Sequence, residues 1–174
     1  MKKILFFLCL PLVLQGCDGS LDSNQEELDQ FVLDSSIWTV QLGTGTTDSA
    51  QGLSIDSQGN LYLAGYTSGN LQENGNAGGQ DLVLIKYDSN GDRQWTRQLG
   101  VTGDDVAFAS ATDSSGNVYA AGYTEGGLDG NTHIGSFDLF IVKYDQDGKK
   151  LWSVQHGTSA KDVIFAIATD ASDD

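Results

Sequence analysis

The chain has 174 residues, enough for one domain of ordinary size, and a formal charge of −15. A surplus of acid this large excludes the basic footprint that nucleic-acid binding needs, and it argues against lying flat on an anionic lipid surface. Only two cysteines are present, so a disulfide framework is not the organising device.

The first segment is a targeting signal. Lys2 and Lys3 precede an apolar run from Ile4 to Leu14. The run suits a signal-peptide core and is too short to span a bilayer as a helix, which takes about 20 residues. It ends in Leu14-Gln15-Gly16-Cys17, which resembles the lipobox of bacterial lipoproteins. That resemblance implies cleavage after residue 16 and lipidation of Cys17 with more than one acyl chain, palmitate among them. Two or more chains are what stable anchoring takes. Cys9 lies inside the discarded core, so Cys17 is the one thiol left. Removal of residues 1–16 moves the charge to −17 (7 basic, 24 acidic). The same resemblance implies, by the sorting rule of enterobacterial lipoproteins, that Asp18 favours retention at the inner membrane. Residues 17–36 are polar and acidic, the composition of a tether.

From residue 37 onward the chain repeats itself. Trp38, Trp95 and Trp152 are 57 residues apart, as are Asp48, Asp105 and Asp162, and Asp56, Asp113 and Asp170. Residues 38–94 and 95–151 agree at 26 of 57 positions, and a third unit occupies 152–174. Each unit reads as four short strands. The first lies at 37–43, 94–100 and 151–157. The second lies at 50–56, 107–113 and 163–170. The third lies at 60–67 and 117–124, and the fourth at 81–88 and 138–145. These stretches are rich in β-branched and aromatic residues and bounded by Gly, Asn, Asp and Ser. DSQGN, DSSGN, DSNGD and DQDGK are tight hairpin turns. The fourth strand is apolar on both faces, as in a sheet packed between two others. Gly65 and Gly122, each after an Ala, mark close backbone approach.

The fold class is therefore all-β, with propeller-type four-stranded repeats of 57 residues. The stretches WTxQLG, DSxGNxYxAGYT and DLxxxKYDxxG resemble the bacterial β-propeller repeat family (SBBP repeats). The resemblance implies four-stranded blades on a secreted or surface protein, and it carries no agreed catalytic residues. Ten strands make about two and a half blades, and closure takes at least four. The sequence is expected to be a product of a longer gene, or to complete a ring by self-association, or to complete one with a partner chain.

Candidate chemistry is sparse. His133 and His156 do not recur and have no metal-ligand spacing. Asp88, Asn90 and Asp92, and Asp145 and Asp147, look like the first half of a calcium loop, but no Glu closes either one. They are calcium candidates only as looser sites. No other cofactor is expected. Asp81 and Asp138 recur before the fourth strand, which points to turn capping or a bond to a neighbouring strand. Lys86 and Lys143 are expected to snorkel or to pair with a recurrent Asp. Trp38, Trp95 and Trp152, with the tyrosines, are expected between blades; an aromatic platform for sugars is the sharper reading. The two thirteen-residue connections, 68–80 and 125–137, are where a ligand is expected first.

The functional expectation is a lipid-anchored cell-envelope protein acting as a non-enzymatic binding or scaffold module. Its rivals are a piece of a larger propeller protein, including a carbohydrate-active enzyme, and a non-functional truncated product.

Overall fold

The computed structural model describes residues 38–71 and 75–170. The expected signal peptide, Cys17, Asp18 and the tether lie outside the described residues.

Eight strands form two antiparallel sheets of four. The first sheet holds β1 (Asp48–Ile55), β2 (Leu61–Thr67), β3 (Asp81–Tyr87) and β4 (Arg93–Leu99), in that order. The second holds β5 (Asp105–Thr112), β6 (Val118–Thr124), β7 (Asp138–Tyr144) and β8 (Lys150–His156). No α-helix occurs among the described residues; one 3₁₀ turn spans Leu128–Gly130. The arrangement is all-β and unclosed, two propeller-type sheets with a strand-like segment at either side.

The turns follow from their residues. In the β1–β2 hairpin, Asp56 N–H donates to Asn60 O at 3.0 Å and Gly59 N–H to Asp56 O at 3.1 Å. The Asp56 carboxylate takes the Gln58 and Asn60 amides at 2.9 Å each. Gly59 and its counterpart Gly116 have φ of +81° and +79°, a conformation that costs glycine nothing.

Both faces of the middle strands are used. Leu82 and Leu84 point with Tyr62 and Ala64 into a core shared with Ala107, Val118, Ala120, Phe140 and Val142 of the second sheet. Val83, Ile85 and Tyr87 point the other way and pack on Trp38 and Leu42. The first sheet is thus covered on both faces, which accounts for the apolar residues on both sides of β3.

Two expected strands are not strands. Residues 38–43 and 163–170 have no ladder partner among the described residues. Each nevertheless follows the path its repeat dictates. Trp38 stacks on Tyr87 at 6.0 Å, as Trp95 faces Tyr144 at 6.5 Å. Thr169 donates to Thr112 O at 2.8 Å, as Thr112 donates to Ile55 O at 3.2 Å. Extended backbone becomes a strand only beside another, and here the neighbours are missing. The sheets are also offset from the sequence units. The outer strand of the first sheet, β4, carries Trp95 and so comes from the next unit. The blade is therefore 48–99 rather than 38–94.

Candidate functional site

The recurrent aspartates build the rims. The Asp48 carboxylate takes Thr44 N–H at 2.6 Å, Asp105 takes Val101 N–H at 2.7 Å, and Asp162 takes Thr158 N–H at 2.7 Å. Thr67 and Thr124, at the ends of β2 and β6, donate their hydroxyls to Asp48 and Asp105. Asp81 takes Ala77 N–H and the Gln98 amide at 3.0 and 2.8 Å; Asp138 takes Ile134 N–H and the Gln155 amide at 2.7 and 2.8 Å. A third series holds the hairpins, and in the second sheet Asp113 also pairs with Lys143 at 3.1 Å. Lys143 lies over the Tyr119 ring, so its stem is buried while its charge meets a carboxylate.

Asp105 is fully buried, as Asp138 is, and burial pushes the Asp105 pKa up to about 6, with the nearby Asp81 and Asp104 charges adding to the push against its hydrogen bonds from Thr124 and Val101. A carboxyl raised on folding stabilises the fold below its ordinary value of 3.8 and loses that contribution as pH rises through about 6. The loss amounts to about 3 kcal/mol at 1.36 kcal/mol per pH unit. Asp56, Asp113 and Asp129 are held below the ordinary value by hydrogen bonds that outweigh their burial. Their contributions fade only as pH falls further. Urea unfolding between pH 4.5 and 7 is expected to show a falling stability, and Asp105→Asn is expected to flatten that fall. An unchanged slope in the variant would assign the dependence to general charge repulsion instead.

Of the calcium candidates, Asp88 and Asp145 turn their carboxylates onto their own backbone. Asp88 Oδ1 takes the Asn90 and Asp92 amides at 2.9 and 3.0 Å, and its Oδ2 takes Gln94 Nε2 at 2.8 Å. Asp145 Oδ1 takes the Asp147 and Lys149 amides at 3.0 and 2.8 Å. Asn90, Asp92 and Asp147 thus supply backbone N–H to these carboxylates. Among the described residues no group of three or more His, Cys, Asp or Glu converges on one point. His133 sits with its ring nitrogens 3.2 and 2.7 Å from the carbonyl oxygens of Gly126 and Gly135.

Described residues of both long connections are tied to the outer strands. Leu128 is fully buried, and its N–H donates to Gln155 Oε1 at 2.9 Å. Leu71 N–H donates to Gln98 Oε1 at the same distance. Gln98 and Gln155 recur in the WTRQ and WSVQ boxes, a signal that composition alone does not weight. Each amide clamps a loop to the outer strand.

A cleft lies where hairpin ends of the two sheets meet. It measures about 640 Å³ and is lined by Gln58, Asn60, Lys86, Asp88, Gln94, Trp95, Arg97, Gln146 and Asp147. Lys86 Nζ and Trp95 Nε1 both donate to Gln146 O at 3.0 Å. Arg97 donates to the carbonyls of Gly148 and Asp147, the latter at 3.0 Å, and lies over the Trp95 ring. Three donors of the first sheet thus grip one turn of the second. Arg97 is the residue a motif search passes over. It stands where Val40 and Val154 stand in the other units, so it breaks the repeat at the cleft.

Two segments of the chain, 37–72 and 94–129, match the model of the SBBP beta-propeller repeat. They lie one 57-residue period apart, and each takes in the first hairpin of one sheet, β1–β2 and β5–β6. The chain is also similar to the regulatory protein FlaEY of Caulobacter vibrioides, 31% identical over 138 residues. That match covers 71% of this chain and 14% of the relative, so the chain spans a small part of the protein it resembles.

Proposed function

We propose that this is a lipid-anchored cell-envelope protein whose SBBP-type blades act as a non-enzymatic binding or scaffold module. The carrying observation is the cleft at the blade seam. Its walls hold an indole, four side-chain amides, and two cations (Lys86, Arg97) matched by two carboxylates (Asp88, Asp147), so the lining has no net charge. Such a lining suits a neutral, hydroxyl-rich ligand such as a glycan, bound by hydrogen bonds and ring contact rather than charge. Anchoring at Cys17 keeps the domain at the membrane despite its acidity. Labelled palmitate should enter the protein and be lost in Cys17→Ser, and fractionation of the envelope would place it in one membrane.

Arg97→Val tests the cleft with little risk to the fold, since valine already serves at the equivalent position of the other units. Glycan-array screening followed by calorimetry is expected to show saturable binding, weakened about tenfold or more by the substitution. Equal affinity in the variant would move the site elsewhere, and turnover of a bound glycan would replace the module by an enzyme. The second reading, a part of a larger propeller protein, is favoured by the small share of the Caulobacter relative that the chain spans.

A further inference from the structure

We propose that His133 is a pH-sensitive staple across the loop 125–137, closed while its imidazole is protonated and released when the ring is neutral. The inference stands on the hydrogen bonds of that loop and not on the seam cleft.

His133 bridges the two ends of the loop. Its Nδ1 lies 3.2 Å from Gly126 O, and its Nε2 lies 2.7 Å from Gly135 O. Both partners are carbonyl oxygens, which only accept. A neutral imidazole donates from one nitrogen and presents a lone pair at the other; the cation donates from both. Two donations to two carbonyls therefore require the imidazolium. A carboxylate faces the same ring. Asp138 Oδ2 is 3.8 Å from Nδ1, and the Asp138 side chain is fully buried. Ile134 N–H and the Gln155 amide donate to Oδ2, while Oδ1 has no hydrogen-bond partner among the described residues. Its negative charge favours a cation beside it. The other charged groups of the surrounding elements have partners of their own. Asp129 pairs with Lys150, Glu125 takes Asp104 N–H, Asp162 takes Thr158 N–H, and Lys161 lies over the Phe137 ring. His156 stands on β8 opposite Leu139.

The repeat supplies its own comparison. One period earlier the same position is Asn76. Its Nδ2 donates to Gly79 O at 3.1 Å and to Thr67 O at 3.4 Å. A side-chain amide carries both of its N–H donors whatever the pH, so the first loop has a staple that pH does not touch. The second loop has a ring with two donors in acid alone. Asn76 stays half-buried with the second sheet in place, so a further sheet of the same kind would leave His133 open to solvent protons as well. On loss of the proton the Nδ1 contact gives way. It is the longer of the two, and its lone pair would face both a carbonyl and a carboxylate. Gly126 O keeps its bonds from Gln155 Nε2 at 3.0 Å and Thr124 Oγ1 at 3.1 Å. Gly126 therefore stays, and the loop loosens on the side of residues 132–136.

Long-range proton–nitrogen spectra of the labelled full-length chain read which ring nitrogens of His133 carry a proton. Amide hydrogen exchange, corrected for its intrinsic pH dependence, reads the Ile134 N–H that donates to Asp138. At about pH 5.5 both nitrogens should be protonated and Ile134 protected. At about pH 8 one nitrogen should be protonated, with the protection of Ile134 lower by about tenfold, the scale of one hydrogen bond to a charged group. His133→Asn installs the side chain of the first loop and should hold protection within about twofold at both pH values. A ring with one proton at about pH 5.5, unchanged protection in the parent chain, or the same loss in His133→Asn would each overturn the proposal.

Discussion

Gly122→Ala is expected to cost at least about 3 kcal/mol, the upper end of what overpacking does. A Cβ there would lie 1.8 Å from Val106 O and 2.9 Å from its carbonyl carbon. Both obstacles are backbone, so no rotamer change makes room. The bulge that brings them close is part of the β5–β6 register, and relieving the clash means undoing the ladder between Ala107 and Ala109. Gly65 meets the same geometry, with Ser49 O at 1.9 Å, so Gly65→Ala should behave alike in the first sheet. Gly45→Ala is the control. Nothing lies within 4 Å of a Cβ at that position, and a change within about 0.5 kcal/mol is expected. Urea unfolding with unchanged slope separates a stability loss from a changed denatured state. A Gly122→Ala protein within about 1 kcal/mol of the parent would mean the strands part more easily than their register implies.

Much of this fold was legible in the sequence because the repeat writes each instruction twice. The Asp-x-x-Gly turns, the Ala-Gly pairs and the doubly apolar fourth strand each name a local geometry, and each geometry is present. The phase of the blades was not legible. A periodic string has no origin, so nothing in residues 38–94 says that Trp95 and not Trp38 closes the first sheet. The strand character of 163–170 was overestimated for a related reason: β-propensity describes a side chain on a half-buried surface, and the ladder partner is not in the segment itself. The cleft was the least legible. Arg97 could be noticed as a break in the repeat, but its partners are backbone carbonyls some 50 positions away, and a carbonyl leaves no mark in the sequence. The same limit applies to Asp105. Asp48, Asp105 and Asp162 share one letter and one period, yet Asp105 is fully buried while the other two are half-buried.

The three tryptophans show how position in the stack, not residue type, sets the energy. Trp95 touches Tyr62 of its own sheet at 5.9 Å and Tyr144 of the next at 6.5 Å, and its indole N–H donates to Gln146 O. Trp152 touches Tyr119 at 5.9 Å and is 41% exposed. Trp95→Ala removes a ring from a two-sided contact, for which losses of about 3–5 kcal/mol are typical. Trp152→Ala removes a ring that is open on one side, and about 1 kcal/mol is expected, the scale of an aromatic pair. Trp38, stacked on Tyr87 at 6.0 Å with one ring partner among the described residues, should fall between. Chemical unfolding of the three variants, compared at one denaturant slope, gives the ranking directly. Equal losses at all three positions would mean that a further sheet already covers the Trp152 face in solution.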